Sequence, residues 1–120
     1  MKRYIFVRTQ FEGFHKWENA PEEVSFLQSL HRHLFQVKLT IAVEHNDREI
    51  EFFLVKQWLD KSAIPALIGR LGEKMSCEAI AEQIIEDTKD YLLYQKIEGE
   101  RKITCEVSED GENGAVVVTS

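Results

Sequence analysis

One stretch of the sequence, between residues 31 and 43, alternates between two kinds of side chain. Residues of one parity are apolar or histidine, whereas those of the other parity are mixed and mostly polar. The first set comprises His31, His33, Phe35, Val37, Leu39, Ile41 and Val43. Side chains at i and i+2 of a β-strand point to the same side. The stretch therefore predicts a strand with one buried face that begins with two histidines.

The segment Tyr4 to His15 shows the same period of two. One parity carries Ile5, Val7, Thr9, Phe11, Gly13 and His15, and the other carries charged and amide side chains such as Arg8, Gln10 and Glu12. It predicts a first strand. The segment Lys16 to Gln28 is interpreted as a loop, with Asn19-Ala20-Pro21 as its turn signal.

The end of the chain predicts a β-hairpin. Ile103, Cys105 and Val107 alternate with polar residues, and Ala115 to Thr119 forms a returning strand. Asp110-Gly111 and Asn113-Gly114 are both strong signals for the turn between them.

Between these pairs of strands the period becomes helical. A first amphipathic stretch begins at Phe52, is interrupted or restarted at Pro65, and ends near Gly72. A second helix is predicted from about Ser76, a good N-cap, to Tyr94. Its core-facing stripe comprises Cys77, Ile80, Ala81, Ile84, Ile85, Thr88 and Leu92.

The predicted element order is β-β-α-α-β-β, an α+β domain that occupies residues 1–120. Two helices can cover only one face of an antiparallel four-stranded sheet, and the sheet edges stay open. Because unpaired edges favour association with another chain, we expect an oligomer.

The amino-acid composition argues against several classes of function. The chain has 15 basic and 21 acidic residues, a net charge of −6, and no basic block. These features argue against nonspecific nucleic-acid binding. No apolar run is long enough to span a bilayer. Two separate cysteines and no secretory signal predict reduced thiols and a cytoplasmic location.

The sharpest chemical feature is His31-Arg32-His33. Two imidazoles at i and i+2 of a strand can converge on one metal ion. If the first two strands pair antiparallel, the end of one meets the start of the other, so His15 lies beside His31 and His33. Three imidazoles without a fourth protein ligand are typical of a catalytic zinc site with an open position.

These residues also carry a family resemblance. Phe11–His15 and Leu30–Val37 resemble the zinc motifs of the 6-pyruvoyl- and 6-carboxy-tetrahydropterin synthase family, an F-x-A-x-H strand followed by an H-G-H strand. Further similarities follow in order: Ile50–Phe52 with the start of the family's first helix, Ser76–Ala81 with that of its second, and Thr104–Val107 with its late glutamate-bearing strand. Together they cover almost the whole chain.

The resemblance implies the tunnelling fold (T-fold) and a Zn²⁺ ion held by His15, His31 and His33. It also implies a pterin or purine-like ring gripped by Glu106, whose two carboxylate oxygens can accept from an amino group and a ring N–H. The expected assembly is a homohexamer of two stacked trimers. A lyase acting on a dihydroneopterin triphosphate-like substrate is expected, and both queuosine-type and folate- or biopterin-related routes are compatible.

Three positions depart from the family pattern. Leu27 stands where the family has its catalytic cysteine, and the segment from Lys61 to Cys77 lacks the family's Asp-His pair. Arg32 replaces the glycine of H-G-H and could line the pocket and bind a carboxylate or phosphate.

Other residues could replace the missing proton carriers. Cys77 follows the predicted N-cap, where a helix N-terminus lowers a thiol pKa. Glu51, Glu78 and Glu12 are further candidates for acid-base work.

Three functions are therefore compatible with the sequence. The chain is a zinc-dependent enzyme with altered proton-transfer groups, a non-catalytic oligomer that binds a nucleotide or pterin, or a structural oligomer without metal.

Overall fold

The two long alternating segments form a β-hairpin in the computed structural model, which describes residues 1–120. Strand β1 spans Arg3–His15 and β2 spans His31–Val43; they pair antiparallel along their full length, from Arg3 opposite Val43 to His15 opposite His31. Strands β3, Ile103–Glu109, and β4, Asn113–Val118, extend the sheet in the order β1-β2-β3-β4, with every pairing antiparallel. The alternation thus predicts this α+β sheet correctly.

The helical layer consists of α1, Phe52–Trp58, α2, Ile64–Leu71, and α3, Cys77–Tyr94. A π-helical turn, Leu59–Ala63, joins α1 to α2, and the Ile64 N–H donates to the Leu59 carbonyl. Proline cannot donate a backbone hydrogen bond and crowds the preceding turn, so Pro65 accounts for this wider turn. Ser76 caps α3 by accepting a hydrogen bond from the Ala79 N–H, as predicted.

The core lies between the helices and one face of the sheet. It includes the apolar parity of β2 and β3 together with the inner stripe of α3; the largest wholly buried side chains are Phe35, Leu39, Ile41, Leu59, Leu67, Ile80, Ile84 and Ile103. Each contributes roughly 1.5–3 kcal/mol through removal from water. The histidine end of β1 and β2 faces the same side of the sheet as this core.

Two local predictions are wrong. Glu22–Gln28 is a short 3₁₀ helix after Pro21, kinked at Val24, within the segment expected to be a loop. Asn113-Gly114 lies in β4, because Asp110 and Gly111, both with positive φ, already make the turn. Gly114 is needed for another reason: a Cβ atom there would lie 2.0 Å from the Val107 carbonyl oxygen.

The opposite face of the sheet has no helix. The outer strands place exposed apolar side chains there: Tyr4, Phe6, Phe14, Val116 and Val118. The chain is elongated, with extents of 51 × 28 × 21 Å and a radius of gyration of 15.4 Å. A compact domain of this length has a radius of about 13.6 Å. None of the helices has the length and apolar character that crossing a membrane requires.

Candidate metal centre

The antiparallel register of the β1–β2 hairpin brings three histidines together at one end of the sheet. His15 lies opposite His31, and Gly13 lies opposite His33. The ring centroids are 4.4 Å apart for His15 and His31, 5.0 Å for His15 and His33, and 4.9 Å for His31 and His33. The wholly buried Phe35 ring lies against His15 and His33 from the core side. The three side chains therefore form one cluster, as the spacing predicts.

Backbone carbonyl groups fix the orientation of two of the rings. His15 Nδ1 lies 2.6 Å from the Met75 carbonyl oxygen, and His31 Nδ1 lies 2.7 Å from the Ser29 carbonyl oxygen. A carbonyl oxygen can only accept a hydrogen bond, so Nδ1 carries the proton in both rings. In the neutral rings, Nε2 then presents a lone pair.

Asp110 holds the third ring. Its Oδ2 atom lies 2.7 Å from His33 Nδ1, and its Oδ1 atom accepts a hydrogen bond of 2.9 Å from the Leu34 N–H. The hydrogen bond from His33 holds the pKa of the Asp110 carboxyl below its ordinary value, so the acceptor stays ionised. A carboxylate behind an imidazole is a common outer partner of a metal-binding histidine, because it fixes the tautomer and raises ligand basicity.

The inner nitrogen atoms of the cluster have no hydrogen-bond partner. The Nε2 atoms of His15, His31 and His33 are buried and make no hydrogen bond. One nitrogen from each ring lies within 4.8 Å of the other two, and the engaged Nδ1 atoms leave Nε2 for this role. Burial lowers the pKa of His15, which disfavours a second proton on that ring. Unpaired buried acceptors are rare in proteins, so this arrangement fits a metal cation.

Sequence reasoning missed one member of the cluster, Glu109 at the end of β3. Its Oε1 atom lies 3.4 Å from His15 Nε2, and its Oε2 atom lies 3.5 Å from His33 Nε2. Glu109 shares the parity of Ile103, Cys105 and Val107, the core-facing residues of β3. A carboxylate at the end of an apolar parity is the signal that could have identified it.

The two residues expected to bind substrate lie on the opposite face of the sheet. Arg32 makes an ion pair with Glu12, with 2.6 Å between Nη1 and Oε1. Glu106 is exposed opposite Lys38 and Val116, in a groove of about 680 Å³ across the open face. Within one chain, neither side chain lies on the histidine side of the sheet.

The weaker catalytic candidates are also dispersed. Glu51 caps α1 through the Phe53 N–H and lines a groove with Arg3 and Val43, at the far end of the hairpin from His15. Glu78 is exposed in the first turn of α3.

The remaining weak candidate, Cys77, is a buried free thiol. It lies at the start of α3 as predicted, but burial raises its pKa to about 12, and the charges of Glu109 and Glu78 act in the same direction. Desolvation outweighs the helix N-terminus, so this thiol is not a ready nucleophile.

The search for relatives gave no match: no family model fits the chain, and no curated protein resembles it closely enough in sequence to be recognised.

Proposed function

We propose that this protein is a zinc-binding, pterin-synthase-like protein of the tunnelling fold, which binds a pterin- or purine-derived small molecule at its histidine centre. The observation that carries the proposal is the convergence of three buried Nε2 atoms that make no hydrogen bond. Neutral imidazole is a preferred zinc ligand, and three such ligands occur in catalytic zinc sites.

The roles of the chain's own residues follow from their positions. His15, His31 and His33 would hold the ion, while Met75, Ser29 and Asp110 keep each ring turned inward. A bound zinc ion supplies Lewis acidity, which polarises a carbonyl or hydroxyl group of a ligand. The buried Phe35 ring closes the site on the core side and excludes water there.

Ligand recognition by Glu106 and Arg32 requires more than one copy of the chain. Both side chains point away from the histidines of their own subunit. A ligand that contacts the metal and either residue must therefore lie between subunits. The exposed apolar side chains of the outer strands and the elongated shape support such an assembly. We propose a hexamer of two stacked trimers, and native mass spectrometry that finds only monomers at micromolar concentration would reject it.

A second candidate, a binding protein without turnover, is favoured by a specific observation. Both thiols are buried and have pKa values raised to about 12, and Leu27 offers no acid-base group in place of the family's cysteine. Product formation from dihydroneopterin triphosphate supports the enzyme. Stabilisation by pterins or guanine derivatives without product formation supports the binding protein.

The metal site itself is tested by zinc analysis of the purified protein. We expect about one zinc ion per chain in the wild type and almost none in the His31→Ala/His33→Ala double variant, since one imidazole cannot hold the ion alone. His45→Ala is the matched control, because His45 is the fourth histidine of the chain and is exposed in the turn after β2. Equal zinc content in the double variant and the control would refute the site.

A further inference from the structure

The Glu109 carboxylate has an unusual set of neighbours. Its two oxygens face two different imidazoles, Oε1 towards His15 Nε2 and Oε2 towards His33 Nε2. The side chain makes no other ion pair and no hydrogen bond. Because the Met75 carbonyl oxygen accepts from His15 Nδ1, the Nε2 lone pair of the neutral ring points towards a carboxylate oxygen. Two such groups repel one another unless a cation lies between them.

The distances between the Glu109 oxygens and the imidazole Nε2 atoms fit binding to a shared metal ion better than a direct hydrogen bond. The 3.4 and 3.5 Å distances exceed the usual length of a charge-assisted N–H···O bond, about 2.7–2.9 Å. Ligand atoms about 2.0–2.1 Å from a tetrahedral metal ion lie about 3.3–3.4 Å from each other. Each Glu109 oxygen therefore lies about as far from its imidazole nitrogen as two atoms bound to the same ion lie from each other.

The other nearby carboxylates have different partners. Asp110 is engaged by His33 Nδ1 and the Leu34 N–H, and Glu12 pairs with Arg32 on the opposite face. Glu109 is also more accessible than the rings it contacts: its side chain is 31% exposed, compared with 11% for His15 and 19% for His33. Of these three side chains, solvent therefore reaches Glu109 most easily.

We propose that Glu109 is a fourth, displaceable metal ligand, which closes the three-histidine site until an incoming ligand takes its place. The proposal rests on the metal site proposed above and adds that the resting site has no open position. Movement of this one partly exposed carboxylate opens the site, while the three rings stay held through their Nδ1 atoms.

Cobalt substitution tests this directly, because the visible absorption of Co²⁺ depends on its coordination number. The full-length protein is loaded with Co²⁺ and titrated with azide, which binds cobalt only where a position is open. We expect the wild type to show intense four-coordinate bands and to require at least about tenfold more azide for a spectral change than Glu109→Ala. Cobalt affinity should fall by about tenfold or more in Glu109→Ala, a loss comparable to that of other metal-site contacts.

Glu112→Gln, in the turn that follows β3, is the matched control and should behave as the wild type. Glu109→Gln keeps the side-chain size and covers the case in which the alanine variant does not fold. Equal azide sensitivity in the wild type and the folded Glu109 variants would overturn the assignment of Glu109 as the fourth ligand but leave the three-histidine site intact. Failure of the wild type to bind Co²⁺ or Zn²⁺ would overturn both proposals.

Discussion

At the scale of single residues, the hydrogen bonds behind the imidazoles decide how the cluster can act. Each ring is held by one acceptor, and two of these acceptors are backbone carbonyls that no side-chain substitution can remove. Asp110 is the exception, because it supports His33 through a carboxylate. The contribution of ring orientation to metal binding can therefore be tested at this residue without altering a ligand.

Asp110→Asn should weaken zinc binding by about 10- to 100-fold while the fold persists. The asparagine carbonyl oxygen can still accept from the Leu34 N–H, but its amide NH₂ then faces His33 Nδ1 and opposes the proton there. Competition with a zinc chelator measures the affinity. Asp47→Asn, in the exposed turn after β2, serves as the control, and an unchanged affinity in Asp110→Asn would show that the carboxylate does not position the ring.

The individual site residues differ in how far the sequence predicts them. The three histidines are identifiable because strand parity and antiparallel pairing determine their positions. The sequence predicts only a turn role for Asp110, since its bond to His33 depends on the path of the chain just beyond the last residue pair of β2 and β3. The sequence pattern also cannot predict the raised pKa of Cys77, because desolvation depends on the packing around the thiol.

At the scale of elements, the β3–β4 hairpin depends on a close approach of two backbones. Gly114 lies opposite Ser108, and a Cβ atom at position 114 would lie 2.0 Å from the Val107 carbonyl oxygen and 2.7 Å from the Ser108 Cα. Neither atom can move without displacing the strand. The hairpin in turn positions Glu109 and Asp110, so its geometry and that of the histidine cluster are coupled.

Gly114→Ala should destabilise the protein by about 3 kcal/mol or more. This is the upper end of the usual cost of overpacking, because backbone atoms of the neighbouring strand would have to move. Urea denaturation followed by circular dichroism measures the loss. Gly69→Ala is the matched control: a Cβ there has no neighbour within 4 Å, and alanine favours the helix by about 0.5–1 kcal/mol. A Gly114→Ala variant as stable as wild type would contradict the close approach.

The elements themselves follow largely from the sequence. Strand parity, the Ser76 cap and the helical stripe place all four strands and the long helix within a few residues. The 3₁₀ helix at Glu22–Gln28 and the role of Gly114 do not follow, because short helices lack a clear period and a glycine that relieves crowding has the same local signature as a turn glycine.

At the scale of the whole molecule, one ion pair joins segments that are distant in sequence. Arg101 donates to Glu49 Oε1 at 2.9 Å and to the Ala42 and Glu98 carbonyl oxygens. The side chains are 6% exposed for Arg101 and 18% for Glu49. This contact fixes the approach to β3 against the end of β2. The hydrogen bond that Arg101 donates lowers the pKa of Glu49, so the strength of this contact depends on pH.

Glu49→Gln should lower the free energy of unfolding by about 1–2 kcal/mol at neutral pH. Because the pKa of Glu49 is lowered in the folded chain, its contribution is fully present above the ordinary glutamate value of about 4.3 and is lost as the pH falls below it. The difference between wild type and variant should therefore shrink below about pH 4.

Urea titrations of the metal-free proteins from pH 7 to pH 3 measure this difference. Glu86→Gln breaks the exposed pair with Lys89 and should change stability by less than about 0.5 kcal/mol at any pH. A Glu49→Gln deficit that stays constant or grows towards pH 3 would contradict the assignment.

The central claim, that the rings of His15, His31 and His33 share one ion, is tested most directly by zinc X-ray absorption spectroscopy of the purified protein. The structure predicts a shell of nitrogen and oxygen atoms only, with outer-shell scattering from about three imidazole rings. Scattering from sulfur, or a shell of oxygen atoms without imidazole features, would show that zinc binds elsewhere and would contradict the account.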